Sequence, residues 1–144
     1  MSRGDAAARR LYLWEDAEVA PRDLSRVPFA QLQALVDHVW VAEGLCFPPR
    51  MRPLPRQARA TVARATRLAI EAPAELPSWV LLHELAHCMT STVEGENDGH
   101  GPRFVGLYLQ LLVRHARMPE AALAVSLRAA GIPFNPAARP VFLG

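Results

Sequence analysis

The stretch Trp79-Val80-Leu81-Leu82-His83-Glu84-Leu85-Ala86-His87-Cys88-Met89 sets three polar side chains inside an apolar run. Such a run is a buried helix, and a buried polar triplet needs partners. On a helix, residues i and i+4 share a face. His83 and His87 therefore aim two imidazoles at one point, with Glu84 beside them. This His-Glu-x-x-His arrangement supplies two zinc ligands and a carboxylate that can serve as general base toward a water at the metal.

A catalytic zinc site usually takes three protein ligands. His100 is the best third candidate, separated from His87 by twelve residues and flanked by Gly99 and Gly101. Those glycines allow close backbone approach. Glu94, Glu96 and Asp98 compete, because a carboxylate is the third ligand in other zinc enzymes. The metzincin spacing needs a histidine at position 93, which is Val93, so that class is excluded.

The pattern His83-Glu84-Leu85-Ala86-His87, a loop, then His100-Gly101-Pro102-Arg103-Phe104 resembles the SprT-like, minigluzincin-type metallopeptidases. It is closer still to short single-domain metallohydrolases whose helix begins H-G-P-x-F. The resemblance covers residues 67 to 131 and extends loosely to the first elements. It implies an α+β fold, with a small, mostly antiparallel sheet flanked by helices around a zincin core. It also implies His83, His87 and His100 as zinc ligands, Glu84 as catalytic base, and a strand at Arg67–Glu71 along the cleft. An extended peptide or protein substrate would pair with that strand as an edge. SprT-like DNA–protein crosslink proteases often carry an added zinc- or DNA-binding segment that has no counterpart here.

The remaining chain suits one domain over 1–144, with 1–8 and 133–144 as candidate flexible ends. Leu11-Tyr12-Leu13-Trp14 reads as a short strand, and 17–27 as a connection broken by Pro21. Apolar residues from Pro28 to Glu43 recur at helical spacing; His38 falls among the polar positions and reads as a surface residue. Prolines 48, 49, 53 and 55 interrupt regular structure over 45–57. A hairpin follows, with arms Ala58–Ala63 and Arg67–Glu71 joined through Arg64-Ala65-Thr66. Helices are expected at about 77–90, at about 102–117, and from Pro119 to a cap at Gly131, before an extended tail. Tyr108, two turns beyond His100, could reach an oxyanion, but an aromatic on this apolar helix reads as core; His115, further along the helix, suits the role still less.

No apolar run reaches the ~18 residues that span a membrane, and the N-terminus lacks a signal-peptide core. A cytoplasmic protein with no membrane partner is expected. Cys46 and Cys88 form no metal motif and read as reduced, structural thiols. A formal charge of +2 is too small to argue for nucleic acid. All sixteen basic residues are arginine, and Arg50, Arg52, Arg56, Arg59, Arg64 and Arg67 fall in one stretch without an acid. That stretch reads first as a solvated face, with an anionic partner such as nucleic acid as the alternative. The function expected is zinc-dependent hydrolysis of peptide bonds. The alternatives are hydrolysis of a non-peptide substrate, or a regulatory, nucleic-acid-associated protein that retains the zinc site.

Overall fold

The computed structural model describes residues 3–55 and 63–142. It opens with a helix, α1 (Arg3–Trp14), in place of the short strand expected at Leu11–Trp14. Alanines 6–8 favour the helix, and the apolar run is its final turn. Leu11, Trp14, Glu15 and Val19 are buried, whereas Tyr12 and Leu13 are 50% and 65% exposed. That is one buried helical face, not strand alternation. The chain then widens into a π-helical turn over Glu15–Val19 and tightens into a 3₁₀ turn over Ala20–Arg22. The stretch read as a connection is thus largely helical.

Two small sheets follow. β1 (Val27–Pro28) pairs antiparallel with β5 (Glu75–Leu76), and α2 (Phe29–Ala42) starts directly after β1. The second sheet has the order β2-β4-β3, from β2 (Arg50–Pro53), β3 (Arg64–Ala65) and β4 (Ala69–Ala72). β4 is its central strand, parallel to β2 and antiparallel to β3. This corrects two expectations. The strand near Arg67–Glu71 is no edge, and the proline-rich 45–57 stretch contains a strand. Arg50 and Leu54 donate their N–H groups toward β4, to Leu68 and Ala72. Pro49, Pro53 and Pro55 occupy the alternate positions, where the pairing needs no donor. The hairpin turn lies at Arg67–Leu68, closed by Thr66 N–H to Ala69 O, later than Arg64–Thr66. Most of the expected first arm, 58–63, lies outside the described residues. The chain is α+β as expected, but its longest strand pairing is parallel.

The motif helix is α3 (Ser78–Met89). Its N-terminus is held from a distant segment: Asp23 accepts from Trp79 N–H and Ser78 Oγ, and Ser25 Oγ accepts from Ser78 N–H. A carboxylate at the positive end of a helix satisfies orphan donors and complements the dipole. Those hydrogen bonds outweigh burial and hold Asp23 below its ordinary pKa. α4 (Pro102–His115) packs along α3 more extensively than any other pair of helices, and α5 (Glu120–Ala129) packs against α4.

Residues 132–142 hold no regular element and fold back over α4. Gly106 admits this crossing, because a Cβ there would lie 1.8 Å from the Asn135 carbonyl oxygen. Gln110 Nε2 donates to Pro136 O and Ala138 O. The segment ends with Phe142 stacked on Trp40, where the Arg67 guanidinium lies over both rings. Arg67 is therefore a buried brace, and Arg64 is paired with Glu71. Arg50, Arg52 and Arg64 are exposed as a solvated face requires, Arg67 departs from it, and Arg56 and Arg59 lie outside the described residues. Cys88 is buried and donates to Thr66 O, and burial pushes its thiol up. Cys46 is exposed, so the expectation of a packed, structural thiol fails there. Among the described residues no helix is long and apolar enough to cross a membrane.

Candidate metal centre

His83 and His87 project from one face of α3. His100 reaches them from the end of the polar loop that precedes α4. One ligand atom from each of the three imidazoles lies within 4.8 Å of the others, and His87 Nε2 and His100 Nε2 are 3.2 Å apart. Two nitrogens on a tetrahedral zinc, each at ~2.05 Å, would be about 3.3 Å apart, so the donor set fits such an ion.

The carboxylate competitors lie elsewhere. Asp98 caps α4, accepting from Arg103 N–H and Phe104 N–H through Oδ2, while its carbonyl accepts from Gly101 N–H. A Cβ at Gly101 would meet Asp98 Oδ2 at 2.7 Å, which is why glycine follows His100. Glu94 and Glu96 are exposed loop residues.

Each imidazole has a built setting. Phe104, fully buried, stacks on the His87 ring at 4.2 Å and meets His83 and His100 by its edges. Burial, then the neighbouring His83 and His100, hold His87 down to about 2. Its ring is therefore neutral, with a lone pair available to a metal. Burial and His83 also lower His100, against the pull of Glu15 and Asp98. Burial alone would lower His83, but a hydrogen bond and charge from Glu15, with the charge of Glu84, outweigh it and raise the pKa.

Glu15 is the residue that sequence reasoning missed. Its Oε2 lies 2.6 Å from His83 Nδ1 and accepts from Tyr108 OH at 2.7 Å, all three groups being buried. A carboxylate on the far nitrogen fixes the tautomer of a metal-ligating histidine and aims its other nitrogen at the ion. Glu15 opens the π-helical turn, an irregularity often found at functional sites. The signal available was an acidic residue inside a buried helical face. Tyr108 is fully buried with its hydroxyl committed to Glu15, which takes it out of the oxyanion role. His115 is engaged with Glu43, and His38 is exposed beside it.

The imidazoles open onto a cleft of about 340 Å³ lined by Tyr12, Ala63, Arg64, Ala65, His83, Glu84, His87, Ser91, Asn97 and His100. β3 forms one wall and Tyr12, from α1, another. Burial raises the Glu84 pKa; His83 opposes this and Glu15 adds to it. The Glu84 carboxylate has no hydrogen-bond partner among the described residues. Comparison of the chain with protein-family models, curated proteins and solved structures gives no match.

Proposed function

We propose that the chain is a zinc-dependent metallohydrolase that cleaves peptide bonds, with His83, His87 and His100 holding the ion and Glu84 as general base. The arrangement follows the zincin pattern that His83–His87 and His100–Phe104 resemble. The observation that carries the proposal is Glu84. Its carboxylate has no hydrogen-bond partner among the described residues and lines the same cleft as three convergent imidazoles. A purely structural metal site has no use for it.

When bound, zinc supplies a Lewis acid and lowers the pKa of water toward ~7. The chain's own groups do the rest. Glu15 locks the His83 ring, and Phe104 backs all three imidazoles. The Glu84 carboxylate takes the proton of the attacking water and returns it to the leaving amine. A carboxylate can perform both duties, accepting the proton in one step and returning it in the next. An extended substrate has a backbone to pair with at β3, the sheet edge that lines the cleft.

Metal analysis combined with digestion of a peptide library tests the reading. Wild type should carry about one zinc per chain and cleave peptides, and Glu84→Gln should keep the zinc and lose cleavage. Turnover of small esters alone, with no peptide cleaved, would assign a non-peptide hydrolase. Loss of zinc from Glu84→Gln would make Glu84 a ligand and sink the assignment.

A further inference from the structure

Resting on that reading, we propose that Tyr12 is a catalytic residue. Its phenol donates a hydrogen bond to the carbonyl oxygen of the scissile bond as negative charge develops there.

The inference comes from an inventory of donors around the cleft. Four side chains outside the motif bring polar hydrogens to its walls: Tyr12, Arg64, Ser91 and Asn97. Ser91 Oγ donates to the His87 carbonyl at 2.7 Å. Asn97 Nδ2 donates to Gly95 O, and its Oδ1 accepts from Gly99 N–H. Arg64 is tied through Nε to Glu71 on β4. Of the three neutral side chains, Tyr12 is the one whose donor has no hydrogen-bond partner among the described residues.

Placement supports the same assignment. Tyr12 and Glu15 are three residues apart, so one helical face presents both toward His83. Glu15 takes the ring's Nδ1, while the Tyr12 ring lies 6.5 Å from the His83 ring and 5.6 Å from that of His100. Tyr12 therefore leans over two ligand imidazoles on the cleft side while remaining half-exposed. Packing alone would be served by phenylalanine. A phenol at the mouth adds a donor without a partner beside the imidazoles, and a donor aimed at developing negative charge stabilises it.

The reaction balances with Tyr12 as donor only. Water adds to the carbonyl carbon, forming a C–O bond, and the C=O π pair moves to the carbonyl oxygen. Glu84 takes the water's proton. As the pair returns and the C–N bond breaks, Glu84 passes that proton to the amine. Tyr12 keeps its own proton throughout and strengthens its hydrogen bond as charge builds.

The test uses Tyr12→Phe, which keeps the ring and removes the hydroxyl. The probe is an alanyl-alanine phosphinic pseudopeptide, acetylated and amidated, whose tetrahedral phosphinate stands in for the adduct. We expect unchanged zinc affinity and melting temperature, and phosphinate binding weakened about ten- to a hundred-fold. Peptide turnover should fall about 10²–10³-fold in kcat with KM little changed. Equal phosphinate affinity in both proteins would overturn the assignment. So would zinc-loaded wild type that does not bind the phosphinate, or a variant that loses zinc, since Tyr12 would then serve the ligands. If wild type cleaves no peptide but binds the phosphinate in a Tyr12-dependent way, the peptidase reading fails and the donor assignment stands.

Discussion

Glu15 and His83 are 68 residues apart in the chain, and their side chains meet at 2.6 Å in the buried interior beneath the imidazole cluster. We predict that Glu15→Gln lowers zinc affinity about 10–100-fold in a competitive chelator titration, the usual effect of losing such an outer partner. Glu15→Ala should in addition destabilise the fold by about 1–3 kcal/mol, because the buried Tyr108 hydroxyl loses its acceptor. Unchanged zinc affinity in both variants would reduce the contact to packing.

His100 and Asp98 separate ligand from cap. His100→Ala should lose most bound zinc while staying folded. Asp98→Ala should keep zinc and lose about 0.5–2 kcal/mol of stability, the cost of an N-terminal cap. Denaturation curves and metal content together read the pair. The opposite pattern, zinc lost with Asp98 and kept without His100, would exchange the two roles.

The hairpin register makes a prediction about substrate. Thr66 bonds Ala69 across the turn, so the next pair, Ala65 with Ile70, is a non-bonded one. Ala65 therefore turns its N–H away from β4, toward the cleft it lines. Ala65→Pro should fold, hold zinc and raise KM for extended peptides several-fold, with weak sequence preference retained. Ile70→Pro, in the central strand, should unfold the domain. Normal peptide kinetics in a folded Ala65→Pro protein would rule out pairing at β3.

The metal-free protein should lose stability on mild acidification. His87 is held at about 2 by burial and the other imidazoles, and His100 is lowered as well, against 6.5 for an unperturbed histidine. Below pH 6.5 these two imidazoles bind more protons in the unfolded chain than in the folded one, so their contribution lowers stability as pH falls, opposed at the acid end by Glu84, whose folded pKa is raised. The raised His83 works in a different window. Its contribution is complete below pH 6.5 and fades only as pH rises through its folded value. Thermal melts in a chelator from pH 7.5 to 5 should show a falling midpoint, flattened by His87→Gln. An equally steep fall in that variant would place the sensitivity in other groups.

The three imidazoles and Glu84 were legible because a helix repeats locally, and the loop glycines beside His100 announced its approach. Helices 78–89 and 102–115 followed from the same periodicity. Glu15 was not legible, since its partners His83 and Tyr108 come from two other helices and its π-helical turn has no simple spacing. Leu11–Trp14 misled because four residues do not distinguish the end of a helix from a strand. β2 was hidden by its prolines, whose harmlessness depends on which side of the strand each N–H would face. That fact belongs to the pairing and not to the segment.

Those prolines have a consequence for self-association. Pro49, Pro53 and Pro55 leave the outer side of β2 short of donors, and Gln33 of α2 accepts the intervening Met51 N–H. No further strand can be laid down there. The sheet is blocked at one end and can grow only at β3, beside the imidazoles. Two copies joining edge to edge through this sheet would have to meet across their own clefts, so the same strand edge would serve either self-pairing or an extended ligand, not both.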